Sequence, residues 1–392
     1  MYFQILDNKK NCKTIFYNNS LTDKFICDKM THTWSYSHHL EDVDIEYAQL
    51  WAGGKSMTDV CPEHLKDDWH AASERLKAFE KSFKISKINL NDVCVFDCLP
   101  ESYMLELYDL KNKISEHVFS TYQKPKNYNL LVQLMSFIKD ISLQPMNVRL
   151  EHLNFSDEKV RNSVSKIKNI NYKIKYDPWV VPTGRLATVT GTFPILSLNK
   201  ELRSAIHPIN DMFLELDYNA AEIRTMLGLL NQEQPDEDIH EWISREVFNS
   251  KYSREETKKK VFAWLYNPKS KNKKLSNFLN RQDIVDMFYD NGLVKTCYGR
   301  EIKIDEARAL NYVIQSTASD MFLTSAIKIN NILKNKKSNV SFCVHDSLII
   351  DLAKEDKNII NELISVFSET KFGFIKTNVS MGLNYGSIRK VK

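Results

Sequence analysis

The sequence predicts an α+β fold, in which a mixed, polar start of about 60 residues is followed by helical patterns and then by a mixed second half. Apolar residues recur at helical intervals in HAASERLKAFEKSF, residues 70–83, and again from about 101 to 145. In the second half, short strand-like segments alternate with well-marked helices. Segregated helical and strand-containing regions of this kind are typical of α+β proteins.

The chain has 392 residues, enough for two or three domains of about 150 residues each. Its apolar content of 43% and charged content of 27% are ordinary for a globular protein. No run of about 18 apolar residues is present, so we expect no membrane span, and the first residues lack the pattern of a signal peptide. Seven scattered cysteines, an odd number, indicate reduced thiols and a cytoplasmic location.

The stretch VHDSLIID, residues 344–351, has the β-branched composition of a strand but carries His345 and Asp346. The run MFLELDYNAAEIRTMLGLL, residues 212–230, has the same unusual feature, because a strand pattern ends at Asp217 and a helical pattern follows. This second segment taken alone favours a helix cap at Asp217, since Asp is a preferred N-cap residue. If neighbouring strands hold the two aspartates close together, they would instead bind divalent cations such as Mg²⁺.

The segment YSREETKKKVFAWLYN, residues 252–267, predicts a helix that presents Arg254, Lys258, Phe262 and Tyr266 along one stripe. Ser253 and the glutamate three residues later match a capping box. The cations lie near the helix N-terminus, which favours anions, and the aromatic rings follow two to three turns later. This polarity suits a nucleoside triphosphate. The alternative is an ordinary amphipathic helix whose aromatic residues are core.

Two weaker signals accompany these segments. Lysine-rich runs at 258–260 and 269–274 stand out against a net charge of only +4, and they fit either a solvated surface or phosphate contact. A helix predicted from residue 307 carries Asn311 and Gln315 on one face, and such amides can donate to base edges in a minor groove.

Together these segments resemble the family A DNA polymerases, the bacterial polymerase I type, and most closely its compact, phage-like members. The matching stretches occur in the family's order over about residues 183–392: TGRLATVTGTFPILS, LDYNAAEIR, DIHEWISREVF, REETKKKVFAWLY, VKTCYGREI, NYVIQSTASD and CVHDSLIID. The resemblance implies a right-hand polymerase fold with an antiparallel palm sheet, helical fingers and a helical thumb. It also implies a cytoplasmic enzyme, in the host cytoplasm if a phage encodes it.

The resemblance implies a role for each matching residue. Asp217, Asp346 and the Tyr218 backbone carbonyl would hold two Mg²⁺ ions. Arg254, Lys258 and His240 would bind the triphosphate of the incoming dNTP, with Lys258 as proton donor to the leaving group. Phe262 would pack on the sugar, Tyr266 would stack near the new base pair, and Glu222 would exclude ribonucleotides. Arg185, Asn311, Gln315 and His345 would contact the primer–template DNA.

The implied organisation is a monomer that binds primer–template DNA and dNTPs and does not bind a membrane. The expected regions are an N-terminal region of unknown role (1–98), thumb and lead-in to the palm (99–200), first part of the palm (201–232), fingers (233–300) and second part of the palm (301–392).

Three positions depart from the family pattern. Ala220 stands where glutamine is usual, Asn267 replaces the glycine after the tyrosine, and Ser347 replaces a common glutamate. Asp44 and Glu46 form an Asp-x-Glu pair like that of a proofreading exonuclease, but about 100 residues before the thumb are too few for that domain, so we expect no proofreading in cis. A single-subunit RNA polymerase and a DNA-binding relative without activity remain alternatives. Glu222 and Phe262 argue against the former, and the two intact aspartates argue against the latter.

Overall fold

The computed structural model describes residues 1–6, 14–23, 29–41, 43–88, 93–94, 97–168, 170, 172–267, 269–270 and 272–391. One lysine of the predicted basic run 269–274, at position 271, therefore lies outside the described residues. The chain divides into two compact units, residues 1–136 (unit 1) and 137–392 (unit 2).

Unit 1 combines short strands with helices. Its strands are β1 (Phe3–Ile5), β2 (Ile15–Tyr17), β3 (Ser20–Thr22), β4 (His32–Thr33) and β5 (Glu46–Tyr47). Its helices are α1 (Ala48–Trp51), α2 (Met57–Val60), α3 (Lys66–Ile85) and α4 (Glu101–Thr121), and the division between the units falls within α5 (Tyr128–Leu143). The helices predicted over 70–83 and from 101 to 145 are confirmed.

Helix α4 supplies much of the core of unit 1. Tyr103, Leu107, Ile114 and Val118 recur at four- and seven-residue intervals and are almost completely buried. The Tyr103 hydroxyl donates a hydrogen bond of 2.7 Å to the carbonyl of Ala72 on α3, so the buried phenol is satisfied and the two helices are joined.

Unit 2 contains the mixed part of the chain. Its strands are β6 (Asn147–Val148), β7 (Tyr176–Asp177), β8 (Ala187–Thr188), β9 (Ile206–His207), β10 (Met212–Tyr218), β11 (Tyr289–Asp290), β12 (Leu293–Lys295), β13 (Glu301–Lys303), β14 (Asn339–Val344), β15 (Ser347–Leu352), β16 (Glu369–Thr370), β17 (Gly373–Phe374), β18 (Thr377–Gly382) and β19 (Arg389–Lys390). Its helices are α6 (Glu158–Ile167), α7 (Ala221–Leu229), α8 (Ile239–Phe248), α9 (Arg254–Tyr266), α10 (Lys273–Phe278), α11 (Arg281–Phe288), α12 (Glu306–Leu333) and α13 (Ile360–Ser368).

A five-stranded antiparallel sheet, in the order β14-β15-β10-β18-β19, forms the centre of unit 2. Side chains alternate between the faces of β10, so Leu214, Leu216 and Tyr218 point to one face, where they are buried. Glu215 and Asp217 point to the other face and are half-buried. The α+β class and the antiparallel sheet are therefore confirmed.

Helices α7, α8, α9, α11 and α12 share a second core in unit 2. Ile223, Met226 and Leu227 of α7 are fully buried in it, and each contributes roughly 2 kcal/mol through the removal of apolar surface from water. This core fixes α7, and with it the junction that follows Asp217, against α8 and α9.

Among the described residues, no helix is both long and apolar enough to cross a lipid bilayer. Cys94 is disulfide-bonded, so the expectation that every cysteine is a reduced thiol is wrong at this position. Cys61, Cys98, Cys297 and Cys343 are free.

Candidate active site

Asp217 lies near the end of the central strand β10, which continues one residue further than predicted, to Tyr218. Helix α7 begins only at Ala221. Its N-cap is Ala220, in a left-handed conformation with φ 54° and no side-chain cap. The interpretation of Asp217 as a helix cap is therefore wrong. Its carboxylate instead accepts a hydrogen bond of 3.2 Å from Asn378 Nδ2 on β18.

Asp346 lies at the tip of the hairpin that joins β14 to β15. Val344 pairs with Ser347, which leaves only His345 and Asp346 in the turn. His345 has a φ of 55°, a left-handed value that is uncommon for a residue with a side chain, and such strain is frequent at functional sites. Ser347 also pairs with Asp217 across the strands, so the hairpin brings Asp346 close to Asp217.

The two aspartates are costly to hold as anions in the absence of a cation. Burial, together with the negative charges of Glu215 and Asp346, raises the pKa of Asp217 to about 6 against the opposing hydrogen bond from Asn378. Burial also raises the pKa of Asp346, against the charges of Arg185 and His345. Two adjacent carboxylates with this penalty are the hard oxygen donors that Mg²⁺ prefers, so the donor set fits a divalent cation.

Helix α9 starts as predicted. The hydroxyl of Ser253 accepts from the backbone N–H of Glu256, and the Glu256 carboxylate accepts from the backbone N–H of Ser253. This capping box begins the helix at Arg254 and places the first cation of the stripe in its first turn.

The two faces of α9 differ sharply. Thr257, Val261, Trp264 and Leu265 are buried in the core of unit 2. The predicted stripe lies on the opposite, open face, where Lys258 and Tyr266 are exposed and Arg254 and Phe262 are half-buried. Phe262 and Tyr266 stack with ring centroids 5.8 Å apart at an angle of 8°. The core interpretation of these two rings is therefore wrong, because Trp264 is the core aromatic residue.

Glu222 connects the sheet to the stripe. It lies in the first turn of α7 and is buried, with 8% of its surface exposed. Arg185 Nη2 donates to one carboxylate oxygen at 2.6 Å, and the Tyr266 hydroxyl donates to the other. Glu222 therefore lies between Tyr266 and Arg185, near enough to Asp346 for the negative charge of that aspartate to help raise its pKa.

Arg185 reaches Glu222 from a segment that needs a glycine. Gly184 has a φ of 78°, and a Cβ atom there would come within 2.3 Å of the Arg300 guanidinium. Only glycine combines this left-handed conformation with such a close approach to Arg300.

Arg254 and His240 meet at the start of α8. Arg254 Nη2 donates a hydrogen bond of 2.9 Å to Asp238, which is the N-cap of α8. Burial, together with the positive charges of Arg254 and Lys258, lowers the pKa of His240 to about 4 against the opposing charge of Asp238. His240 is therefore neutral near pH 7, and it can serve an anion as a hydrogen-bond donor but not as a cation.

The site opens into a cavity of about 680 Å³ whose lining includes Asp217, Arg254 and Asn378. Asp217 and the first cation of the stripe, Arg254, therefore share one space. Phosphate oxygens entering it would lie between negative groups that hold cations and positive groups that bind anions directly.

The residues predicted to contact DNA lie in two groups. Arg185 and His345 line one small cavity with Ser319 of α12. Asn311 and Gln315 are half-buried on α12, and within the described part of the chain neither side-chain amide makes a hydrogen bond, so both can bind a ligand. Tyr218 is held by its side chain, since its hydroxyl donates to the Phe367 carbonyl at 2.7 Å and accepts from the Ser325 hydroxyl at 2.8 Å.

The sequence interpretation missed three residues that position this site: Asn219, Arg224 and Asp238. Arg224 is fully buried and donates to the backbone carbonyls of Asn219 and Glu237, at 2.8 Å each. The side-chain amide of Asn219 also donates a hydrogen bond of 3.0 Å to the Asp238 carboxylate. The one available signal was a lone arginine within the apolar pattern of α7, a position where a charge requires several buried acceptors.

Two of the three departures have structural partners. Asn267 ends α9, and its side-chain oxygen accepts from the backbone N–H of Lys269 at 3.0 Å. Ser347 is buried and its hydroxyl donates to Glu215 at 2.8 Å. Ala220 keeps the left-handed conformation of the junction without a polar side chain.

Comparisons with known proteins agree on one kind of protein. No family model matches the chain. It is 20% identical over 347 residues to a DNA polymerase I of Borreliella burgdorferi, covering 74% of this chain and 36% of that protein. It is 23% identical over 259 residues to a DNA polymerase I of Caldicellulosiruptor bescii, covering 52% of this chain and 30% of that protein. The chain thus spans about a third of the length of the curated relatives it matches.

Among solved structures, the chain is similar to the polymerase domain of Pol1 from M. smegmatis, in a complex with DNA primer–template and dNTP. The TM-score is 0.54 at 12% identity, with 73% of this chain and 76% of that chain covered. The fold and the sequence matches identify the chain as similar to the family A DNA polymerases, the DNA polymerase I type, with the fold of their polymerase domain.

Proposed function

We propose that the chain is a template-directed DNA polymerase that adds dNTPs to a primer 3′-hydroxyl by two-metal nucleotidyl transfer, without proofreading in cis. One observation carries the proposal. Asp217, at the end of a central strand, shares a cavity with Arg254, the first residue of the cation-and-aromatic stripe of α9. The relatives named DNA polymerase I support the same reaction.

Asp217, Asp346 and the backbone carbonyl of Tyr218 would hold the two Mg²⁺ ions. Bound there, the ions would activate the attacking oxygen and stabilise the leaving group. The raised pKa of both aspartates supports this role, because a cation would offset the free-energy penalty of their burial.

The residues of α9 would handle the nucleotide. The primer 3′-hydroxyl loses its proton to solvent water, its oxygen forms a bond to the α-phosphorus, and the bond from that phosphorus to the pyrophosphate oxygen breaks. Arg254 would leave Asp238 to bind the phosphates, and His240 would donate a hydrogen bond to them. Lys258, exposed on the open face, would give its proton to the leaving pyrophosphate.

The aromatic end of the stripe and Glu222 would select the sugar. Phe262 would pack on the deoxyribose and Tyr266 would stack near the new base pair. Glu222 is held by Arg185 and Tyr266, so it cannot move aside easily, and a 2′-hydroxyl would meet a fixed carboxylate.

Primer–template DNA would lie along Arg185, Asn311, Gln315 and His345. The free amides of α12 suit the minor-groove acceptors that all base pairs share, so the contact would be independent of sequence. We keep the assignment of residues 99–200 to the thumb, 201–232 and 301–392 to the palm and 233–300 to the fingers as part of the proposal.

The absence of proofreading is also part of the proposal. Glu46, of the Asp-x-Glu pair, is already engaged in an ion pair with Lys124 at 2.5 Å. A carboxylate with a protein cation as its partner is a poor candidate for a metal ligand.

Primer extension tests the proposal. The full chain is incubated with Mg²⁺, a matched or a mismatched primer–template and either dNTPs or rNTPs. We expect extension of the matched primer with dNTPs and no removal of the mismatched 3′ end. Efficient extension with rNTPs would favour the RNA polymerase alternative, and DNA binding without extension would favour the inactive relative.

A further inference from the structure

Glu215 lies on the same strand as Asp217 and on the same face of the sheet. Two residues along a strand correspond to about 6.7 Å between Cα atoms, with both side chains directed to one side. Its cross-strand partners are Ile349 on β15 and Ser380 on β18. Ser380 lines the cavity that also contains Asp217, so the side of β10 on which Glu215 lies borders that cavity.

Glu215 is half-buried without a cation of its own. Among the residues that the structure describes, no ion pair involves it. Its one side-chain hydrogen bond comes from Ser347, whose hydroxyl donates to one carboxylate oxygen at 2.8 Å. A single neutral donor leaves most of the acceptor capacity of this carboxylate unused, and its charge has no ion-pair partner among the described residues.

Ser347 links this carboxylate to the site in a second way. It directly follows Asp346 in the hairpin and is the cross-strand partner of Asp217. Because paired residues point to the same face, a carboxylate at position 347 would occupy the space that Glu215 now reaches from the neighbouring strand.

We propose that Glu215 is a third acidic residue of the cation site, a positioning residue that lies beside Asp217 and increases the affinity of the site for divalent cations through its charge and through bound water. The inference rests on the proposed function. It assigns to Glu215 and Ser347 together the acidic group that the family usually carries at position 347.

The test compares cation binding in the full-length chain and three variants, measured without DNA by the EPR signal of free Mn²⁺. Glu215→Gln removes the charge and keeps the shape, and Ser347→Glu in that background returns a carboxylate from the other strand. Glu362→Gln, at an exposed position on α13, is the matched control for the loss of one negative charge.

We expect Glu215→Gln to weaken Mn²⁺ binding about tenfold and to raise the Mg²⁺ concentration for half-maximal primer extension by a similar factor. The double variant should bind Mn²⁺ with an affinity within about threefold of that of the unmodified chain. The Mn²⁺ affinity of Glu362→Gln should stay within about twofold.

Unchanged Mn²⁺ affinity in Glu215→Gln, or a double variant no tighter than Glu215→Gln, would overturn the inference. If Glu215→Gln loses its cooperative melting transition, Glu215→Ala is measured with the same expectation. If neither variant folds, Glu215 is a structural residue and the inference is wrong. Asp217→Asn separates the two proposals, because extension at the unmodified rate in that variant contradicts the polymerase function itself.

Discussion

Asp217 and Asp320 are two acidic residues of unit 2 with opposite surroundings. Asp320, on α12, is fully buried and accepts two hydrogen bonds from Arg300, at 2.6 and 3.0 Å. Asp217 is half-buried, and its side chain accepts from the neutral amide of Asn378. A structural carboxylate carries its counter-ion within the fold. A carboxylate that lacks one within the described chain is prepared for a cation from solution.

The largest expected effect is the loss of activity in Asp217→Asn. The amide keeps the shape but cannot hold a divalent cation as a carboxylate does, so we expect primer extension to fall by about 10²- to 10³-fold or more. DNA binding, measured by fluorescence anisotropy, should change by less than about threefold. Extension at the unmodified rate would contradict the assignment of Asp217 to cation binding, in contrast to the structural role of Asp320.

Asp320→Asn should act on stability instead. It leaves the Arg300 guanidinium unpaired in a setting where its side chain is only 11% exposed. We expect a loss of about 3–5 kcal/mol in the free energy of unfolding, measured by urea denaturation. Asp305→Asn, in an exposed ion pair with Arg308, is the control and should lose less than about 1 kcal/mol.

The pH dependence of stability should also differ between Asp217 and its asparagine variant. The pKa of Asp217 is about 6 in the folded chain against an ordinary value of 3.8, so the folded state holds the proton more tightly. Its stabilising contribution is complete below about pH 4 and is lost as the pH rises through 6.

Without divalent cations, Asp217→Asn should therefore be more stable than the unmodified chain at pH 7.5, by roughly 1 to 3 kcal/mol. The difference should vanish near pH 4. Thermal melts in EDTA across this range measure it, and added Mg²⁺ should raise the melting temperature of the unmodified chain more than that of the variant. A difference that does not depend on pH would contradict the burial of an uncompensated charge.

The surroundings of Glu222 are intermediate between those of Asp217 and Asp320. Burial raises the pKa of Glu222, and the nearby charge of Arg185 opposes that shift. Glu222→Ala should raise the incorporation of ribonucleotides relative to deoxyribonucleotides by about tenfold, since space opens for the 2′-hydroxyl. Single-nucleotide incorporation kinetics measure the ratio, and Glu246→Ala, at an exposed position on α8, is the control. An unchanged ratio would contradict the role in sugar selection.

The sequence predicts the elements of this site better than their connections. The capping box at Ser253 and the stripe of α9 follow from local patterns, because local chemistry determines both of them. The contact of Glu222 with Tyr266 joins residues 44 positions apart, and no local pattern encodes such a pairing.

The assignment of Asp217 shows the same limit. The sequence alone favoured a helix cap, because Asp is a good N-cap residue and a helical pattern follows it. The strand extends to Tyr218 and the left-handed Ala220 delays the helix, so Asp217 remains on the sheet. An alanine in a left-handed conformation is rare enough that no propensity argument would predict it.

The capping box of α9 has a consequence for the tolerance of this segment to insertions and deletions. Ser253 and Glu256 fix the residue at which the helix begins, while Trp264 fixes which side turns inward. One extra residue between the cap and Trp264 would rotate the preceding cations by about 100° relative to the aromatic rings. Natural variation should therefore change the identity of the exposed residues in this interval far more readily than their number.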